Sequence, residues 1–214
     1  MGAFLDHLQL QPHPAARPDA VAAVTCGVSW GGLGEWVLDF IVGEPAAALR
    51  LPLAVPAARV DDLWRTTCFE LFLRRAGEEA YIEFNFSPSG EWSAWTFEGY
   101  REGRRNLEIA PPIITTADPV RLAMATMDRM LALGIDPDAA RRLAEVPGPA
   151  PDPASPFVLS VALNDPAFAK PGPWLASLSA VIEEPHGTKS YWALAHRSDK
   201  PDFHDPDSFV LELP

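Results

Sequence analysis

Proline restricts this chain more than any other residue. It occurs 23 times in 214 residues, about double the usual ~5%. Proline lacks an N–H and fixes φ, so it interrupts helices and central strands and is confined to edges and connections. The prolines cluster at Pro111–Pro112, from Pro147 to Pro156 and from Pro171 to Pro173, with short apolar runs between the clusters. That rhythm does not suit a helical bundle or an α/β fold. It predicts a mostly β domain, folded as a two-sheet antiparallel β-sandwich.

The runs themselves read as strands. Val21 to Trp30 and Trp36 to Val42 are separated by Gly31, Gly32 and Gly34, as in a hairpin. Thr67 to Arg74 and Tyr81 to Phe86 are joined through Gly77. Ser87-Pro88-Ser89-Gly90 is a turn leading into Trp92 to Phe97. Further strands are expected at Phe157 to Leu163, Trp174 to Glu183, Lys189 to His196 and Ser208 to Leu213. One stretch differs. Asp118-Pro119 resembles a helix N-cap followed by proline at the first helical position. Val120, Met124, Met127 and Leu131 then recur at helical spacing up to Gly134, and Asp136-Pro137 repeats the start signal. Residues 118–146 are therefore expected to form a helical insertion. With the Pro-rich linker to residue 156 it lies within one domain spanning residues 1–214, and its methionine stripe reads as a packing face.

Charge narrows the possible partners. With 17 basic and 29 acidic residues the net charge is −12, which disfavours nucleic acid and anionic membrane surfaces. No apolar run reaches the roughly 20 residues of a membrane helix. The N-terminal segment lacks a basic start and is interrupted by Asp6, His7, Gln9 and Gln11, unlike a secretory signal. These features make the cytoplasm the expected compartment. Cys26 and Cys68 sit in apolar strand-like segments and read as core thiols.

Period-two parity picks out a candidate site. In the central hairpin, Phe69, Leu71, Leu73, Ile82, Phe84 and Phe86 share one wholly apolar face. The opposite face mixes Glu70, Glu83 and Asn85 with Cys68, Phe72 and Tyr81. Carboxylates at a sheet centre need partners. Two readings stay open: an outer face ion-paired by Arg65, Arg74 or Arg101, or a polar platform for a ligand. Aromatics gather around it: Trp64, Tyr81, Trp92, Trp95, Tyr100, Tyr191, Trp192 and Phe203. Sugar rings stack on aromatic faces while carboxylates and amides bond their hydroxyls. The candidate ligand-binding residues are Trp64 and Phe203 as flanks, Glu70, Glu83 and Asn85 as floor, and Tyr191, Trp192 or His196 along an edge. Each aromatic has an alternative reading as core.

Catalytic signals are weak. SPSG is not a nucleophile elbow, and there is neither a P-loop nor GxGxxG. Glu70 and Glu83 are a formal glycosidase pair, but nothing nominates either as the acid. The segment His196 to Asp207 holds two histidines and four aspartates. Carboxylate-rich loops bind calcium, while aspartate beside proline is also ordinary turn chemistry. The expectation is a domain that is not an enzyme and has no obligatory cofactor.

Four strings together, LWRTTCFELFL, YIEFNFSPSGEWSAWTF, LSAVIEE and SYWALAHRSDKPDFHDPDSFVLEL, resemble the bacterial DOMON-like domains related to family 9 carbohydrate-binding modules, in particular the subgroup labelled MurB-like. The resemblance covers about residues 53–100 and 178–214. It implies an immunoglobulin-like β-sandwich whose relatives bind sugars or haem. Trp64 is similar in placement to the aromatic preceding the Glu-bearing strand, and Phe203 to the aromatic near the C-terminal strand. Three functions follow as expectations: non-catalytic binding of a carbohydrate or similar polar molecule; a protein-interaction or accessory domain; and haem-binding electron transfer, with Met124, Met127, His196 or His204 as candidate axial ligands.

Overall fold

A computed structural model describes residues 3–31, 34–116, 155–165, 168 and 173–213. The expected helical insertion, with Met124 and Met127, lies outside the described residues. Within them the chain is mostly antiparallel β. The strands are β1 (Ala3–Pro12), β2 (Val24–Trp30), β3 (Glu35–Pro45), β4 (Cys68–Arg75), β5 (Tyr81–Phe86), β6 (Trp92–Phe97), β7 (Arg105–Asn106), β8 (Ile113–Thr116), β9 (Pro156–Asn164), β10 (Trp174–Glu183), β11 (Lys189–Ala193) and β12 (Leu211–Leu213).

These strands form one curled sheet in the order β7-β6-β5-β4-β10-β11-β1-β2-β3-β9-β8, with β12 alongside the start of β10. The expected pair of separate sheets is thus joined through β1. Residues 3–10 of β1 pair with β2, and Gln11 and Pro12 pair with β11. The curl brings the two arms' apolar faces together. Phe69 of β4 lies 5.0 Å from Phe40 of β3 and 6.1 Å from Phe157 of β9. The core face of the central hairpin is the one parity assigned: Phe69, Leu71, Leu73, Phe84 and Phe86 are all buried in this cluster.

β1 was not among the expected strands, and its geometry explains why. The register slips between Leu5 and Leu8, and His7 has φ 54°. This bulge breaks the period-two alternation, because one extra residue shifts every side chain beyond it to the other face. The last strand is shorter than expected. Pro206–Ser208 form a 3₁₀ turn capped by Asp205, whose carboxylate accepts the Asp207 N–H, so pairing begins only at Leu211. No helix among the described residues is long and apolar enough to cross a membrane.

Candidate functional site

On the face turned away from the core, strand register lays out two rows of side chains. One runs Ser179, Glu70, Asn85, Ser93 across β10, β4, β5 and β6; the next runs Ser177, Phe72, Glu83, Trp95. Glu70 and Glu83 are therefore diagonal neighbours, which for paired strands means Cα atoms about 7–8 Å apart. Above them opens a cleft of about 590 Å³, lined by Trp64, Glu70, Glu83, Asn85, Tyr191 and Phe203 among others. Six of the eight residues expected at a site are thus brought to one place.

The walls come from segments outside the sheet. Trp64 stands on the 3₁₀ turn Leu63–Arg65 that precedes β4, entered through Asp62 at φ 63°. It is 48% exposed, so the alternative reading of Trp64 as a core plug does not hold. Phe203 is 8% exposed, and its ring meets that of Tyr191 at 6.2 Å, tilted by 54°. The segment carrying it is fixed by turn chemistry. Asp205 accepts from the Ser198 hydroxyl at 2.8 Å, and Asp202 accepts from the His204 N–H at 3.0 Å. Among the described residues, no group of three or more His, Cys, Asp or Glu is placed to hold a metal ion.

Glu70 is the unusual group. It is 3% exposed, and its only hydrogen bond among the described residues is a long one, 3.5 Å, from the Ser179 hydroxyl to Oε2. Its Oε1 is buried without a hydrogen-bond partner among the described residues. None of the three expected arginines pairs with it. Arg65 bonds Asp62 at 3.0 Å, Arg101 bonds Asp202 at 2.8 Å, and Arg74 donates to the Pro206 carbonyl at 3.3 Å. Burial, and then repulsion from Glu83, hold the Glu70 carboxyl well above its ordinary value. Burial also raises Glu83, although the Asn85 amide donates to its Oε1 at 2.6 Å. Cys68, on the same face, is fully buried, and burial together with Glu70 pushes its thiol up, so it stays protonated.

A relay of hydrogen bonds closes one end of the cleft. The Arg101 N–H donates to the Tyr81 oxygen at 3.2 Å, and the Tyr81 hydroxyl meets His204 Nδ1 at 2.7 Å. When the Tyr81 hydroxyl donates to Nδ1, the His204 ring proton sits on Nε2, which faces Glu83 at 3.8 Å. Burial, followed by the positive charge of Arg101, lowers His204 to about 4, so the ring is neutral at pH 7.

Two expected site residues lie elsewhere. Trp192 points into the core at 1% exposure, its indole N–H donating to the Ser190 hydroxyl at 2.9 Å. Its neighbour Tyr191 takes the cleft side, because adjacent strand residues face oppositely. His196 lies past the end of β11, where Nε2 meets the Gln11 carbonyl at 2.8 Å and the ring meets His13 edge-on at 4.7 Å. Sequence reasoning did not place Ser93, Arg101 and Arg104 in the cleft. Extending the parity of Glu83 and Asn85 onto β6 selects Ser93 and Trp95. The arginines follow β6 in a turn whose path no period reveals.

No family model and no curated protein matches the chain by sequence. Among solved structures, a proposed carbohydrate-binding protein from Bacteroides uniformis ATCC 8492 superposes with a TM-score of 0.47 at 12% identity, covering 94% of this chain and 84% of that one. A likeness of that degree carries no argument about what this chain binds.

Proposed function

We propose that this chain is a non-catalytic binding domain whose cleft holds a carbohydrate or a closely similar polyhydroxylated small molecule. One observation carries the reading: a half-exposed indole, Trp64, stands in the same cleft as a buried carboxyl, Glu70, that has an oxygen without a partner. Buried polar groups are nearly always hydrogen-bonded, so a missing partner calls for an explanation, and a bound ligand supplies one. Stacking on Trp64 gives apolar burial, and hydroxyls reaching the floor satisfy Glu70, Glu83 and Asn85.

The reading accords with the resemblance to DOMON-like, immunoglobulin-like sandwiches and with a cytoplasmic domain that requires no cofactor. It is tested by screening the protein on a glycan array and titrating the hits by calorimetry. Saturable binding that Trp64→Ala weakens at least tenfold supports it, that being roughly 1.4 kcal/mol of lost stacking. A well-folded protein that binds no saccharide overturns it.

A further inference from the structure

A neutral sugar accounts for the rings, donors and acceptors of the cleft, but not for its charge. Most of the charged groups lining it are already matched. Asp62 is paired with Arg65, and Arg101 with Asp202. Arg104 is bonded to Asp61 at 3.3 Å and lies over the Trp95 ring at 3.6 Å. His204 is neutral. Among the described residues Glu70 and Glu83 remain with no cation in hydrogen-bond contact, although Arg101 acts on both, and Arg104 on Glu83, from a distance. Glu83 Oε2 lies 3.8 Å from the His204 ring, and among the described residues Glu70 Oε1 meets no donor.

A buried carboxyl without a contacting counter-charge keeps its proton, and a hydroxyl offers a donor but no charge that would favour the ionised form. An ammonium group offers both. The surrounding rings suit it as well, since indole and phenol faces attract cations. Of the rings lining the cleft, Trp95 is already covered by Arg104 and Trp64 has Arg65 5.5 Å from its centroid, which leaves the Tyr191 ring for a ligand cation. Resting on the carbohydrate reading above, we infer that the ligand is an amino sugar whose free, protonated amine is seated against Glu70 and Glu83. An N-acetyl group removes the charge and adds bulk. The same floor therefore discriminates against acetamido sugars as well as against the plain hydroxyl form.

The test compares, for each sugar ring type, the free-amine, N-acetyl and hydroxyl forms on one array, followed by calorimetry with the full chain. The free-amine form is expected to bind roughly tenfold tighter or more, the scale of one charge-assisted hydrogen bond. Glu70→Gln should collapse the ratio between amine and hydroxyl forms towards one. This variant is isosteric and removes a buried acid, and far-UV circular dichroism confirms its fold. Because it changes the net charge by only one, a loss of preference separates a specific site from general attraction of amines to an acidic protein. Equal or tighter binding of the hydroxyl or N-acetyl forms overturns the amine inference and leaves the carbohydrate reading standing. Binding of no saccharide overturns both. A preference that survives Glu70→Gln overturns Glu70 as the anchor.

Discussion

Glu70 and Asn85 stand directly opposite one another across β4 and β5, yet the Asn85 amide donates along its own strand to Glu83 at 2.6 Å. The amide's obvious partner across the strands is left without it. Asn85 Oδ1 in turn lies 3.7 Å from the buried Cys68 sulfur. Two adjacent rows at the centre of the sheet therefore carry one carboxyl with a close amide donor and one without, and the cleft opens over both.

Glu70→Gln is expected to stabilise the protein at neutral pH and above. The native carboxyl holds its proton more tightly than its ordinary value of 4.5. Between that value and the raised native one, the folded state binds more protons than the unfolded state, and wild-type stability falls as pH rises. The variant lacks this fall. Urea melts at several pH values should show the two proteins converging as pH drops below about 4 and the variant ahead at pH 8. A variant less stable than wild type at pH 8 contradicts the buried, unpartnered state of the acid.

His204 contributes with the opposite sign. Its native value is lowered from 6.5 to about 4, so the unfolded chain binds the proton more readily. Stability rises with pH across that window and is lost as pH falls towards 4. Its full extent is roughly 3 kcal/mol, as an order of magnitude. Following the His204 ring by NMR should give a titration midpoint near 4, and a midpoint at or above 6 would rule out the neutral, Tyr81-bonded ring.

Trp64→Ala and Trp192→Ala should part company. Trp64 is half exposed, and its removal should change stability by no more than ~0.5 kcal/mol while weakening ligand binding. Trp192 is buried among core side chains, where truncation costs about 3–5 kcal/mol. Denaturant melts of the pair decide the matter. Comparable losses in both would return Trp64 to the core and remove a wall of the site.

Cys26 and Cys68 are both fully buried and unpaired with one another. Burial raises both thiols, and a protonated, inaccessible thiol reacts slowly. A thiol reagent should modify neither residue until the chain unfolds. Fast modification of Cys68 in native protein would mean that the floor beneath the cleft opens.

What the sequence determined on its own was local. Alternation along TCFELFLR and YIEFNF set which side chains face the core, because strand geometry has a period of two whatever the surroundings. The same rule would have excluded Trp192 as soon as Tyr191 was chosen. The tertiary structure decided what alternation does not encode. Strand register placed Ser179, Glu70, Asn85 and Ser93 in one row, drawing on four strands. The curl of the sheet through the bulged β1 closed the apolar faces of its two arms into one core. The paths of two irregular segments, at Trp64 and at Phe203, brought their rings over the floor. Loop paths and long-range pairings depend on packing between residues far apart in sequence. Even the missing counter-charge of Glu70 became visible only when Arg65, Arg74 and Arg101 were each found bonded elsewhere.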